Sequence, residues 1–331
     1  INMESLLTER YAVLDLGSNS FHLKLSTIID NQIQNHLKHK DYISLISSID
    51  TKGNVEKKSV AKFMQSIKKI SNLIKENKPE HFRAVATNSF RIIKDHKFLS
   101  SIENNLGFPI DIVSAYEEAE LIFKGVTNTT EILTDDYYII DIGGSSTEII
   151  TIEDRSIKNI ASYQVGSSQM HNLFFKSSDK FTSFNKSLAW VQNIILNSNI
   201  IAPCQTKKIN NKYEDVCLSQ KNIPVYGASG TIKAIFRGFK ALGLSRKEAN
   251  KDDLSYLTDV LINKNTKFTK EVCLLEDSLG KDRMSVLIAG LPIVISILSC
   301  LNINTLYRSN GAIREGVLYD LYQQYKLSLK V

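Results

Sequence analysis

Apolar positions along the chain fall into recurring local patterns. From Tyr11 to Leu14 an apolar run ends in Asp15, and beyond a short polar stretch Phe21, Leu23 and Leu25 alternate with polar neighbours. Strand, tight turn and strand are predicted there. Over residues 58–76, Val60, Phe63, Met64, Ile67, Ile70, Leu73 and Ile74 recur at helical spacing, and Pro79 follows the predicted end. A short strand at Phe82–Ala86 comes next, then a helix running to Gly107 as its C-cap. The strand predicted at Ile110–Val113 meets Ser114, and Glu117 three residues later completes a capping-box signature.

The second half restarts the pattern. Tyr137 to Ile140 is an apolar strand ending in Asp141, and Thr147 to Ile152 continues as a strand after the turn, 126 residues on from the first copy. A strand at Pro224–Tyr226, a turn Gly227-Ala-Ser-Gly230 and a helix follow, and helices around 284–300 and 312–327 close the chain. Two related halves of mixed strands and helices predict an α/β protein with a cleft between the halves. The apolar stretch Val286–Leu301 contains Pro292 and is shorter than the ~18–20 residues of a membrane span, so a helix buried between sheet layers is expected and no membrane association.

Composition narrows this picture. A chain of 331 residues, 43% hydrophobic and 23% charged, favours two domains with sizeable cores. The net charge of +6 is a mild excess that suits a polyanionic substrate; it is not a nucleic-acid-binding arm. Cys204, Cys217, Cys273 and Cys300 lack metal-site spacing and read as reduced thiols. Glu4, Glu9 and Arg10 interrupt the only apolar stretch near the start, so no signal peptide is expected. A cytoplasmic protein is the resulting expectation.

The two Asp-Gly turns, Asp15-Leu-Gly-Ser-Asn-Ser20 and Asp141-Ile-Gly-Gly-Ser-Ser146, suggest phosphate chemistry. Gly17, Gly143 and Gly144 would allow positive φ and close approach of a ligand. Successive amides then form a nest for anions, assisted by Ser18, Asn19, Ser20, Ser145, Ser146 and Thr147. A carboxylate beside such a nest is unfavourable unless a cation lies between, which implies Mg2+. Gly227, Ser229, Gly230 and Thr231, between a strand and a helix, offer a third cradle. No G-x-G-x-x-G enters a helix and no Gly-Lys-[Ser/Thr] has P-loop spacing, so neither a dinucleotide fold nor a Walker site is predicted.

Six ordered motifs carry a family resemblance: Asp15-Leu-Gly-Ser-Asn-Ser-Phe-His22, Ala86-Thr-Asn-Ser-Phe-Arg91, Glu117-Glu-Ala-Glu-Leu-Ile-Phe-Lys-Gly125, Asp141-Ile-Gly-Gly-Ser-Ser-Thr-Glu148, Gly227-Ala-Ser-Gly-Thr-Ile-Lys233 and Gly311-Ala-Ile-Arg-Glu-Gly316. From about Tyr11 to Tyr322 the sequence resembles the exopolyphosphatase/guanosine pentaphosphate phosphohydrolase family, which implies two actin-like α/β domains. By that analogy the final helix returns to the first domain, giving 1–125 plus 310–331 and 126–309. The resemblance makes Glu118 the general base, sets Asp141 and Glu148 at the metal and nucleophilic water, and places Arg91 against phosphate oxygens; Asp15, the carboxylate beside the first nest, is a further candidate metal ligand. A position in the first turn of a helix would favour the ionised form of Glu118.

The implied activity is Mg2+-dependent release of terminal orthophosphate from linear polyphosphate, by a homodimer, with Lys233 and Arg314 as candidates to track the polymer. The alternatives are hydrolysis of guanosine pentaphosphate (pppGpp), a sugar or acetate-type kinase on the same fold, and a non-catalytic polyphosphate or alarmone sensor. The sequence departs from the family pattern at Ser145, where a third glycine is usual, at Asn310, where an acidic residue is common, and at Tyr116, where a small or polar residue is usual.

Overall fold

The computed structural model describes residues 9–176, 179–198, 204–209, 212–217, 223–244, 247–263 and 268–329, with backbone alone for 204–209 and 212–217. The chain divides into two compact units, Ile1–Ile132 with Ser309–Val331, and Leu133–Arg308.

In the first unit the central strand is β1 (Tyr11–Leu16), buried along its whole length because both faces of the sheet are covered. It pairs antiparallel with β2 (Ser20–Ile29), which pairs with β3 (Gln32–Tyr42). On its other side lie β4 (His81–Ala86) and β5 (Ile110–Ile112), both parallel. Helix α1 (Lys57–Asn77) buries Phe63, Ile67, Ile70 and Ile74, and Lys78 ends it in the left-handed region just before Pro79. The single helix expected to reach Gly107 is two. α2 (Asn88–Ile92) stops, and Asp95 starts α3 (His96–Leu106) by accepting from the Phe98 amide. A side chain able to cap in mid-pattern ended the helical run there. Gly107 does cap α3, at φ 81°. Helix α4 (Ala115–Thr127) opens with the expected capping box: Glu117 accepts from the Ser114 amide at 2.7 Å and Ser114 Oγ from the Glu117 amide at 3.1 Å.

The second unit repeats this arrangement. Central β6 (Tyr137–Ile142) pairs antiparallel with β7 (Thr147–Glu153), followed by β8 (Ser156–Tyr163). β9 (Cys204–Ile209) and β10 (Lys212–Cys217) form a separate ribbon. On the other side of β6 lie β11 (Val225–Ala228) and β13 (Thr305–Arg308), both parallel, and β12 (Glu248–Asn250) closes the edge antiparallel. The helices are α5 (Ser167–Phe174), α6 (Lys180–Asn197), α7 (Ser229–Ala241), α8 (Lys251–Ile262) and α9 (Thr269–Cys300).

Helix α9 corrects the sequence expectation. It spans 32 residues, because a second helical stretch, rich in charged residues, precedes the apolar run and joins it across a kink at Gly280, φ 71°. By length and composition it passes for a membrane span, yet 61% of its most apolar stretch is buried. It packs chiefly against α5, α6, α7 and α8, so helices surround it where sheet layers were expected. Cys273 is exposed and Cys300 half-buried, both with free thiols; the side chains of Cys204 and Cys217 lie outside the described residues. The chain then returns to the first unit, where α10 (Ile313–Ser328) packs on α4, β1 and β4.

Candidate active site

In each unit the turn after the central strand is closed by the same hydrogen bond. The Gly17 amide donates to the Ser20 carbonyl at 3.2 Å, and the Gly143 amide donates to the Ser146 carbonyl at 2.9 Å. Neither glycine adopts positive φ, contrary to expectation. Each is needed for closeness instead: a Cβ on Gly17 would lie 3.1 Å from the Ser20 carbonyl oxygen, and one on Gly143 3.2 Å from that of Ser146.

The first turn is anchored from outside. The Asn19 carbonyl accepts from the amides of Ile43 and Ser44, and the Ser18 carbonyl from that of Ile46. Ser18 and Ser20 are buried, and the Ser20 hydroxyl lies 2.7 Å from His22 Nε2. Asp15 is buried and accepts from Arg314 Nη1 at 3.0 Å. Burial pushes the Asp15 carboxyl above its usual range, and the Arg314 guanidinium opposes that shift. Asp15 is therefore committed to a guanidinium, which fits it poorly as a metal ligand, and Arg314 is half of an ion pair, which leaves it little suited to tracking a polymer.

Glu118 lies on α4 and is only 7% exposed. Its Oε2 accepts from Arg91 Nη1 at 2.8 Å, and the same nitrogen donates to the Val113 carbonyl at 2.8 Å. Arg91, expected against phosphate, thus meets Glu118. Burial raises the Glu118 carboxyl, Arg91 opposes the rise, and the charge of Asp15 adds to it. The helix N-terminus was expected to favour the ionised form, but desolvation outweighs it. Glu117 takes the structural role in the capping box, and its carboxyl is held low by the hydrogen bond from the Ser114 amide.

In the second unit Asp141 and Glu148 are direct partners across β6 and β7, which puts both side chains on one face. Both are buried, Glu148 at 1% exposure, and Ser162 Oγ donates to Glu148 Oε1 at 3.1 Å. Two buried carboxylates side by side form a hard-oxygen pair suited to a divalent cation. Among the described residues no group of three or more His, Cys, Asp or Glu is placed to share a metal. Two carboxylates with waters filling the remaining positions is an ordinary arrangement for Mg2+.

Helix α5 holds the second turn. The amides of Ser167, Ser168 and Gln169 donate to the carbonyls of Gly143 and Gly144 at 2.9–3.1 Å. Gly166 makes this approach feasible, since a Cβ there would lie 2.2 Å from the Ser145 amide nitrogen. Ser145 and Ser146 are buried within the turn. Thr147, expected to offer a hydroxyl to phosphate, donates it to the Val165 carbonyl at 2.5 Å.

The third cradle also differs. No turn separates β11 from α7: Gly227 lies in the strand and Ser229 starts the helix, at φ 95°. Ser229 Oγ accepts from the amides of Thr231 and Ile232 at 3.2 and 3.4 Å, which caps groups expected to bind anion. Thr231 donates to the Ile142 carbonyl at 2.7 Å and lies 3.2 Å from Ser167 Oγ, with Gly290 leaving room for its methyl group. Thr231 braces the second turn from beneath. Gly230 faces open space. The braces were missed because Thr147, Gly166 and Gly290 form no motif together; only the glycines hinted at close approach.

The repeated sheet with an Asp-Gly turn after each central strand is an actin-like α/β arrangement. More narrowly, residues 26–325 match the Ppx/GppA phosphatase family, and the chain belongs to it. It is 28% identical over 320 residues to a guanosine-5'-triphosphate,3'-diphosphate pyrophosphatase of Vibrio cholerae, covering 96% of this chain and 60% of that protein. The Vibrio atlanticus protein of the same name gives 28% over 319 residues with the same coverage. The chain thus spans about 60% of the length of these curated relatives. Among solved structures, an exopolyphosphatase from Cytophaga hutchinsonii shares 19% identity with a TM-score of 0.75, covering 96% of this chain and 98% of that one. The Aquifex aeolicus Ppx/GppA family member shares 21% identity with a TM-score of 0.73 at the same coverage. These structures confirm the predicted fold class.

Proposed function

We propose that this chain hydrolyses the terminal phosphoanhydride bond of linear inorganic polyphosphate and releases orthophosphate. The observation that carries the reading is Glu118: a buried carboxylate, oriented by Arg91, whose affinity for a proton is raised by desolvation. In this role Glu118 takes a proton from the water that attacks the terminal phosphorus, while the bond to the bridging oxygen breaks. Each unit's turn is read as an anion cradle by itself: the amides with Ser18 and Ser20 in the first unit, and the amides with Ser145 and Ser146 in the second. Of the third cradle, Thr231 supports the second turn through its bond to the Ile142 carbonyl. Asp141 and Glu148 would hold Mg2+, which would offset negative charge on the phosphoryl group. A cytoplasmic homodimer belongs to the same reading.

The names of the curated relatives favour a second reading, in which the terminal phosphate comes from pppGpp. Phosphate release from long polyphosphate, tripolyphosphate and pppGpp, each with and without Mg2+, separates the two. The first reading expects Mg2+-dependent release from polyphosphate that Glu118→Gln removes. Release from pppGpp alone would establish the second. Binding without turnover of any substrate would point to a sensor, and ATP consumption coupled to a sugar acceptor to a kinase.

A further inference from the structure

We propose that Arg314 is a positioning residue, fixing the Asp15–Ser20 turn relative to the helix that carries Glu118. The proposal rests on the reading of Glu118 as the base and of that turn as a phosphate cradle.

Two consecutive residues in the first turn of α10 grip two adjacent strands, one on each side of the turn. Arg314 Nη1 donates to Asp15 Oδ2 at 3.0 Å, at the end of β1. Lys24 Nζ, on β2, donates to Glu315 Oε1 at 2.5 Å, while Glu315 Oε2 accepts from the Ala312 amide at 2.9 Å. Asp15, Lys24 and Glu315 are all buried. Buried ion pairs are weak sources of stability, because desolvation offsets most of their attraction, and well-packed apolar side chains of similar size would serve cohesion as well or better. What the charged pairs add is directional: a guanidinium holds a carboxylate at a defined distance and angle.

The same helix is locked to α4 by backbone contact. A Cβ on Gly316 would lie 1.8 Å from the Leu121 carbonyl oxygen, and one on Gly125 2.0 Å from that of Ala312. Leu121 and Gly125 follow Glu118 by one and two helical turns, so α10 is in register with the Glu118 helix while it grips the turn. The charge of Asp15 also acts on Glu118, so the two ends of this linkage share one electrostatic environment. Helix α10 is the rigid spacer, and Arg314 is its contact with the cradle.

The test compares wild type, Arg314→Met and Arg314→Lys by steady-state kinetics on polyphosphate, thermal unfolding, and amide hydrogen exchange resolved by residue. Arg314→Met is expected to lower kcat by about ten- to a hundredfold, the scale set by misplacement of a reacting group. Exchange should speed up selectively over residues 17–24 and stay unchanged over 119–126. Arg314→Lys, which keeps the charge without the planar fork, should fall between the two in both readouts. Wild-type kcat and exchange in Arg314→Met would overturn the proposal. So would faster exchange spread evenly over the unit, the mark of a merely structural role. Should Arg314→Met fail to fold, selective exchange in Arg314→Lys supports the proposal and wild-type exchange refutes it. Should the wild type hydrolyse neither polyphosphate nor pppGpp, the proposed function fails, and the exchange pattern alone still decides whether Arg314 positions the turn.

Discussion

Asp141 and Glu148 stand directly opposite one another on antiparallel strands, and the matching partner of Asp15 in the first unit is His22. The turns repeat in backbone and differ in chemistry. The second carries two carboxylates on one face; the first carries a carboxylate held by Arg314 and an imidazole 2.7 Å from the Ser20 hydroxyl. The second turn is therefore the one we propose for divalent cation binding.

Titration calorimetry with Mg2+ checks this assignment. Glu148→Gln and Asp141→Asn should each weaken binding by at least about tenfold, on the scale at which metal sites respond to lost ligands and their supporting partners. His22→Gln should leave the affinity unchanged. Equal losses in all three variants would remove the distinction between the turns.

Glu118 links activity and stability to pH. Its folded-state pKa is raised, so the folded chain keeps a proton that the unfolded chain releases once pH passes the ordinary glutamate value. The stability this contributes is present in full below that value and is lost as pH rises through the folded pKa. As pH rises past the ordinary glutamate value, the buried carboxyl becomes a growing cost to the folded chain, which must keep a proton or carry a desolvated charge. Glu118→Gln should accordingly raise Tm at neutral pH, with the gap to wild type closing towards acid, while turnover falls about 10²–10⁴-fold. A variant that turned over like wild type would exclude Glu118 as the base.

Arg91 opposes the rise at Glu118. Removing it in Arg91→Met should move the acidic limb of the kcat/KM profile to higher pH, because the base then deprotonates later. Arg91→Lys, which retains a positive charge, should move it less. An unmoved limb in Arg91→Met would show that the pair does not tune the base.

Much of the fold was legible because hydrophobic period and local caps agree. The run before Asp15, the spacing of Phe63, Ile67, Ile70 and Ile74, and the Ser114–Glu117 box each specify an element from a few neighbouring residues. What was not legible depends on partners distant in sequence. Arg314 finds Asp15 across 299 positions, and Thr231 finds Ile142 across 89. A threonine bonded to a buried carbonyl looks in sequence like one offered to phosphate. The surroundings of helix α9 were illegible for a related reason: an all-apolar run shows that every side is covered, not whether sheets or helices cover it.

The last prediction concerns the glycines that bring α4 and α10 into backbone contact. A methyl group at Gly316 would fall 1.8 Å from the Leu121 carbonyl oxygen, with no flexible side chain to yield, so one helix must shift. Overpacking of this kind costs about 1–3 kcal/mol or more. In a unit of this size that corresponds to a fall in Tm of several degrees, at about 2–4 °C per kcal/mol. Gly316→Ala and Gly125→Ala should both show it. Gly230→Ala, where a Cβ meets nothing within 4 Å and φ is not positive, should leave Tm unchanged and so separates crowding from a general intolerance of alanine. Because the shift displaces the Glu118 helix from the one that holds Asp15, Gly316→Ala should also lose turnover at temperatures well below its Tm. Full activity in a destabilised Gly316→Ala would mean that the contact serves folding alone.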